Sequence, residues 1–148
     1  MVYMRIIEVT EDDMPRIMEI ELEALSPPWT YSGLLSEMNN AKTLFAAAVE
    51  EDTILGFIIL RHYMTDEGEL LQIAVDKMYR RRGVADMLLN ASYEWAKERG
   101  MRKMYLEVRE SNEAANELYN KHGFRQVGRR KDYYINPVED SLTMLKEL

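Results

Sequence analysis

The apolar positions of this chain fall into two periods, and the sharpest change between them lies near its middle. Residues 70–75 form a short apolar run with the length and composition of a buried strand. After a polar stretch, the apolar residues resume at Val84, Met87, Leu88, Ala91 and Trp95, which is helical spacing. The segment therefore reads as strand, turn and helix, the helix running to about Arg99 with Gly100 as its C-cap.

The same reading extends along the chain. Residues 3–9 alternate enough to be a first strand, and Thr10 with Asp13 three positions on forms an acidic variant of the helix-capping pattern. Met14, Ile17, Met18, Leu22 and Leu25 then share a helical face, the spacing of a core-facing stripe. Ser26-Pro27-Pro28 stops that helix, and residues 29–39 suggest a second, short one. Residues 43–49 and 54–63 are strand-like and joined by the acidic turn at 50–53. A second turn at 65–68 leads into the central strand. Residues 101–109 form the next strand, and Ser111 is the expected cap of a helix ending at His122, with Gly123 beyond it. Residues 124–134 and 140–148 close the chain as a pair of strands. The unit over residues 70–108 predicts a right-handed crossover with two parallel strands, whereas the hairpins before it are antiparallel. The fold class expected is α/β, with one mixed, mostly antiparallel sheet and helices on both faces.

Composition narrows the chemistry. The length of 148 residues suits a single domain over 1–148. The chain has no cysteine, which excludes disulfides, thiolate metal sites and a cysteine acyl-enzyme, and fits a reducing, cytoplasmic setting. Its two histidines, His62 and His122, have no ligand-like spacing, so no metal is expected. No apolar run approaches the length of a membrane span and no signal peptide precedes the chain, so no membrane partner is expected. A net charge of −7 disfavours direct nucleic-acid binding and suits a basic macromolecular substrate.

The turn between central strand and helix carries the first chemical signal. Arg80, Arg81 and Arg82 stand where the helix macrodipole is already positive. That placement is unfavourable unless an anion docks there, and a helix N-terminus with a small residue is a ready phosphate site. The alternative is a solvated charged triplet. No P-loop and no G-x-G-x-x-G is present. Arg80-x-x-Gly83-x-Ala85 resembles the acyl-CoA-binding signature of the GNAT acetyltransferases. A second block agrees, from Leu106-Glu107-Val108-Arg109 through Ser111-Asn112 and Leu118-Tyr119 to Gly123-Phe124. It resembles the L-x-V-R-x-S-N-x-x-A-x-x-L-Y-x-x-x-G-F stretch of the GNAT enzymes that acetylate protein N-termini, in particular the bacterial branch acting on the N-terminal alanine of ribosomal proteins. Pro28-Trp29 and the stretch from Arg129 to Tyr134 extend the likeness, which covers nearly the whole chain and is strongest from Leu70 onward.

The resemblance implies the GNAT fold, acetyl-CoA as co-substrate, and a protein N-terminus as acceptor. By position, Ile73, Ala74 and Val75 would lie beside the acetyl group and pantetheine arm. Arg81, Arg82, Gly83, Val84, Ala85 and Asp86 would wrap the pyrophosphate, and Asn112 would also touch the cofactor. Glu107 would be the general base and Tyr119 the general acid for the leaving thiolate. A splay of the two parallel strands would expose a backbone N–H near Val75 to an oxyanion. Direct transfer in a ternary complex fits a chain without cysteine and without a G-x-S-x-G nucleophile elbow.

From the residues alone, each role has a plainer alternative. Glu107 lies on the opposite strand face from Met104, Leu106 and Val108, as a solvated residue would. Tyr119 shares a helical face with Ala115 and His122 and suits half-buried packing. Arg129 and Arg130 suit an exposed edge. A non-catalytic acyl-CoA sensor would keep the arginine–glycine turn but has no need of Glu107 or Tyr119. Within the enzyme class, the alternative acceptor is a lysine side chain or a small-molecule amine.

Overall fold

A computed structural model describes residues 3–63 and 65–148. Strand β1 (Met4–Glu8) leads through a 3-10 turn (Glu11–Asp13), closed by the Thr10–Asp13 capping box, into helix α1 (Met14–Ala24). Helix α2 (Tyr31–Met38) follows, with the Thr30 hydroxyl accepting from the Gly33 N–H at 3.0 Å. Strands β2 (Thr43–Glu50), β3 (Thr53–His62) and β4 (Glu67–Val75) come next, then helix α3 (Val84–Glu98) and strand β5 (Lys103–Arg109). Helix α4 (Glu113–Lys121), β6 (Arg125–Tyr134) and β7 (Glu139–Glu147) complete the chain.

The strands form one sheet in the order β1-β2-β3-β4-β5-β7-β6, antiparallel at every junction except β4–β5. The expected mixed, mostly antiparallel sheet is therefore present. The C-terminal strand slots between β5 and β6, an order the periodicity does not specify.

Two apolar clusters cover the two faces. On one, Leu88, Leu89 and Ala96 of α3 and Tyr119 of α4 pack on Ile58, Leu60, Met104, Leu106 and Val108. On the other, Met14, Ile17 and Ile20 of α1 and Leu34 of α2 pack on Phe45, Phe57, Ile59 and Ala74. Each such side chain taken fully out of water contributes about 1.5–3 kcal/mol.

The α1 stripe is rotated from its expected position. Met14 and Ile17 are buried, but the stripe continues through Ile20 and Glu21, and Leu22 is 62% exposed. The cap of α4 is likewise one residue later than expected. Asn112 accepts from the Ala115 N–H at 3.2 Å, while the Ser111 hydroxyl donates to Glu139.

Candidate active site

The site begins where the two parallel strands separate. β4 and β5 pair only at Glu67↔Lys103, Gly68↔Met104 and Glu69↔Tyr105, although β4 continues to Val75 and β5 to Arg109. The break coincides with a register shift in the β3–β4 ladder, where Leu60 faces Leu70 and Ile59 faces Gln72, leaving Leu71 as a bulge. A bulge bends its strand and raises the local twist, here turning β4 away from β5. The Asp76 N–H donates to Leu55 across the ladder at 2.9 Å. By strand alternation the N–H of Val75 points the opposite way, into the opening.

Side chains alternate around this opening. Ile73 and Val75 pack toward α3, whereas Ala74 is buried in the α1–α2 cluster, so only the backbone of Ala74 faces the gap. Leu106 and Val108 of β5 point into the α3–α4 cluster. Glu107 therefore points to the other face, as its sequence pattern predicts, but it is largely buried there rather than solvated. Arg130 Nε lies 2.6 Å from Glu107 Oε1, a charge contact whose angle falls outside hydrogen-bond geometry, so this buried oxygen has no hydrogen-bond donor among the described residues.

Tyr119, on α4, lies in the apolar cluster of the opposite face. It is buried, 8% exposed, and its ring meets Phe124 edge-on at 5.6 Å. Burial raises its phenol pKa above the ordinary value of 10, and nearby Tyr134 adds to the rise. Tyr134 is itself raised, by burial first and by the Glu107 carboxylate among smaller causes. Its phenol thus lies within electrostatic reach of both Glu107 and Tyr119. Arg109 stacks over the Tyr134 ring at 4.3 Å and donates to the carbonyls of Ile135 and Pro137, fixing the β6–β7 turn.

The arginine turn is less bare than its sequence suggests. Asp76 caps a 3-10 turn (Lys77–Tyr79) by accepting from Met78 at 2.8 Å, and Arg16 holds that carboxylate at 2.7 Å. Arg80 donates to the Val75 carbonyl and pairs with Glu23, while Arg82 pairs with Glu50 at 2.7 Å and lies over Tyr79. Two of the three positive charges are thus balanced within the chain, a correction to the view that all three await an anion. Arg81 has no ion pair among the described residues.

Arg81 (φ 63°) and Gly83 (φ 80°) both adopt the left-handed conformation. A Cβ built on Gly83 meets nothing within 4 Å, so the space above the helix N-terminus is open. The first α3 backbone bond runs from Met87 to Gly83, leaving the N–H groups of Val84, Ala85 and Asp86 without a helical partner. This cradle of donors suits a phosphate ester.

Two expected cofactor residues are partly committed elsewhere. The Asp86 carboxylate binds His122 Nε2 at 2.7 Å and Lys121 at 3.2 Å, so its backbone N–H alone faces the turn. The Asn112 oxygen caps α4, leaving its amide N–H groups at the surface. Sequence reading also missed Arg130 as the cation beside Glu107, and Glu21 and Gln72, which meet behind β4. The signal for these two was present: each is a polar residue at a core position of its element's period.

Comparison with known proteins agrees with this geometry. Residues 7–124 match the model of the Acetyltransferase (GNAT) family. The [ribosomal protein bS18]-alanine N-acetyltransferase of Haemophilus ducreyi is 38% identical over 87% of this chain and 88% of its own length. The crystal structure of the ribosomal-protein-S18-alanine N-acetyltransferase from Escherichia coli superposes with a TM-score of 0.90 at 30% identity, covering 98% of this chain and 94% of that one. A GNAT acetyltransferase from Elizabethkingia anophelis, solved with acetyl-CoA bound, shares the fold with a TM-score of 0.82 at 20% identity, over 98% of each chain. This chain belongs to the GNAT acetyltransferase family.

Proposed function

We propose that the protein is an acetyl-CoA-dependent N-alpha-acetyltransferase that acetylates the N-terminal alanine of a ribosomal protein by direct transfer in a ternary complex. One observation carries the assignment of roles. Glu107 and Tyr119 lie on opposite faces of the sheet, Glu107 on the stretch of β5 that no longer pairs with β4, an arrangement that would let an acceptor amine and a departing thiolate each meet a proton-handling group.

Acetyl-CoA enters along the opening, with its pantetheine arm between Ile73, Val75 and the backbone of Ala74. Its pyrophosphate rests on the donors of residues 81–86, with Arg81, which has no ion pair among the described residues, as the cation and Asn112 at the rim. The Val75 N–H receives the oxyanion as the amine attacks the thioester carbon. Glu107 takes the proton that the amine must lose, and collapse of the tetrahedral intermediate breaks the C–S bond. Tyr119, kept protonated by burial, hydrogen-bonds the departing sulfur and supplies its proton.

A main-chain amine suits this machinery. With a pKa near ~8 about a tenth is neutral at pH 7, far more than for lysine at ~10.4. Tyr133 and Tyr134, ring centroids 5.1 Å apart, lie at the end of β6 beside the opening, where hydroxyls can meet a peptide backbone. The names borne by the relatives supply the finer identity of the acceptor.

Mass spectrometry after incubation with acetyl-CoA tests the reading. A ribosomal-protein-like peptide with a free N-terminal alanine should gain one acetyl group at that amine. The same peptide with a blocked N-terminus and free lysines should remain unmodified. Equal labelling of both would transfer the assignment to lysine acetylation.

A further inference from the structure

Behind β4, on the face where Glu107 lies, sits a carboxylate that the mechanism above does not use. Glu21 projects from the core stripe of α1 and is fully buried, 0% exposed. Its Oε2 accepts twice, from the Trp29 backbone N–H at 2.8 Å and from Gln72 Nε2 at 3.0 Å. Its Oε1 has no partner among the described residues, and neither does Oε1 of Gln72, although both atoms are buried.

Two planar groups therefore meet through one hydrogen bond, each with one acceptor left over. An ionised carboxylate cannot repair this, because carboxylate and amide oxygen only accept. A single added proton can, since a carboxylic acid and a primary amide each have one donor and one acceptor. The alternative is a buried anion with one unpaired oxygen, which is strongly unfavourable.

We propose that Glu21 is a neutral carboxylic acid whose Oε1–H donates to Gln72 Oε1, and that the resulting acid–amide pair is a positioning device for the acceptor side of the active site. The elements it joins give it that role. Gln72 follows the Leu71 bulge and precedes Ile73, where β4 turns from β5. Trp29 ends the connection between α1 and α2 and packs against the cluster on that face. Glu21 thus ties the α1–α2 connection to the strand that walls the opening, and acts through Trp29 and Gln72 rather than on substrate. Burial raises its carboxyl pKa, as this state requires; the Trp29 N–H and the Gln72 amide, which oppose the rise, do not titrate.

Glu21→Gln separates the two protonation states, because glutamine reproduces all three hydrogen bonds of the neutral acid, two accepted and one donated, and cannot reproduce the anion. Its infrared difference spectrum against wild type at neutral pH should show loss of a protonated-carboxyl carbonyl stretch. Loss of the paired carboxylate bands instead would overturn the proposal. Thermal stability gives a second reading with a definite sign. A carboxyl raised on folding contributes its full stability below the ordinary value of about 4.5, and this is lost as pH rises toward the folded value. The variant lacks that decline, so its melting temperature should gain on wild type from pH 4.5 upward. A deficit that grows with pH would mean a required anion.

The positioning role rests on the peptide-acceptor reading and has its own kinetic test. Glu21→Gln should stay within about twofold of wild type in kcat/KM. Gln72→Leu, which removes both amide bonds, should raise the peptide KM about tenfold, or roughly 1.4 kcal/mol, with acetyl-CoA affinity unchanged. An unchanged peptide KM in Gln72→Leu would overturn the positioning role. The infrared and thermal measurements need no acceptor, so an error about the acceptor leaves them intact.

Discussion

Two polar clusters lie on opposite faces of the sheet, one part-buried and one buried, and they differ in how completely their members are paired. On the α3–α4 face, Asp86 accepts from His122 Nε2, and His122 Nδ1 meets the Tyr93 hydroxyl at 3.0 Å. The carboxylate can only accept, so a ring proton sits on Nε2, and Nδ1 shares a hydrogen bond with the Tyr93 hydroxyl. Lys146 lies 4.8 Å from the centre of the Tyr93 ring and bonds the His122 carbonyl. On the α1–α2 face, Glu21 and Gln72 leave two acceptors unmatched. The first cluster is complete as drawn by its heavy atoms and fastens the N-terminus of α3 to the end of α4. The second requires a proton to be complete. Two carboxyls are thus shifted in opposite directions: Asp86 is held below the usual carboxylate range by His122 and then Lys121, while burial raises Glu21 against the pull of its two donors.

The proposed catalytic pair, Glu107 and Tyr119, divides between the same two faces, and mutating it should give the largest effects. Tyr119→Phe keeps the ring and its Phe124 contact but removes the proton. Turnover should fall roughly 10²–10⁴-fold with acetyl-CoA affinity nearly unchanged. Because burial keeps the phenol protonated well past neutrality, the deficit should be constant from pH 6 to 9. Full turnover in the variant would reduce Tyr119 to a packing residue. Glu107→Gln, on the other face, should cost about tenfold at pH 7, because only about a tenth of the amine is already neutral there. Its deficit should shrink toward pH 9 as the amine deprotonates unaided. Rate profiles of both variants would therefore diverge with pH, and parallel profiles would break the division of roles between the faces.

How legible these faces are in the sequence follows from their chemistry. The α3–α4 face is written locally: a strand, a glycine turn and a helix in one stretch, then a strand–helix block carrying Tyr119. The α1–α2 face is not. Choosing Leu22 over Glu21 for the core stripe follows apolarity, and the partners that make a carboxyl tolerable at that position, the Trp29 N–H and the distant Gln72 amide, lie outside the helix. The arginine triplet misleads for a related reason, since Glu23 and Glu50 balance two of its charges from elements far along the chain. The place of β7 between β5 and β6 depends on long-range pairing that no local pattern encodes. Ser111 and Asn112 are both competent caps, and the hydroxyl's bond to Glu139 leaves the amide to close the helix.

The smallest effect concerns Asp86 and tests whether the paired cluster is structural. Family resemblance places this residue at the cofactor, whereas its carboxylate faces His122 and Lys121. Asp86→Asn keeps the shape and the backbone N–H while removing the charge. The side chain is about one-third exposed, so solvent screens the Lys121 pair and the loss should be about 1 kcal/mol, chiefly from the His122 bond. The sign with pH is fixed by the depressed pKa. Asp86 contributes stability above the ordinary carboxylate value, and the contribution disappears as pH falls through its lower folded value. Urea denaturation should therefore separate wild type from Asp86→Asn at pH 7 and bring them together below about pH 3.8. Acetyl-CoA titration at pH 7 should give nearly the same affinity for both, since only the backbone of residue 86 faces the turn proposed to hold the phosphate. A large loss of affinity with unchanged stability would return the carboxylate to the cofactor and leave the two clusters alike in function.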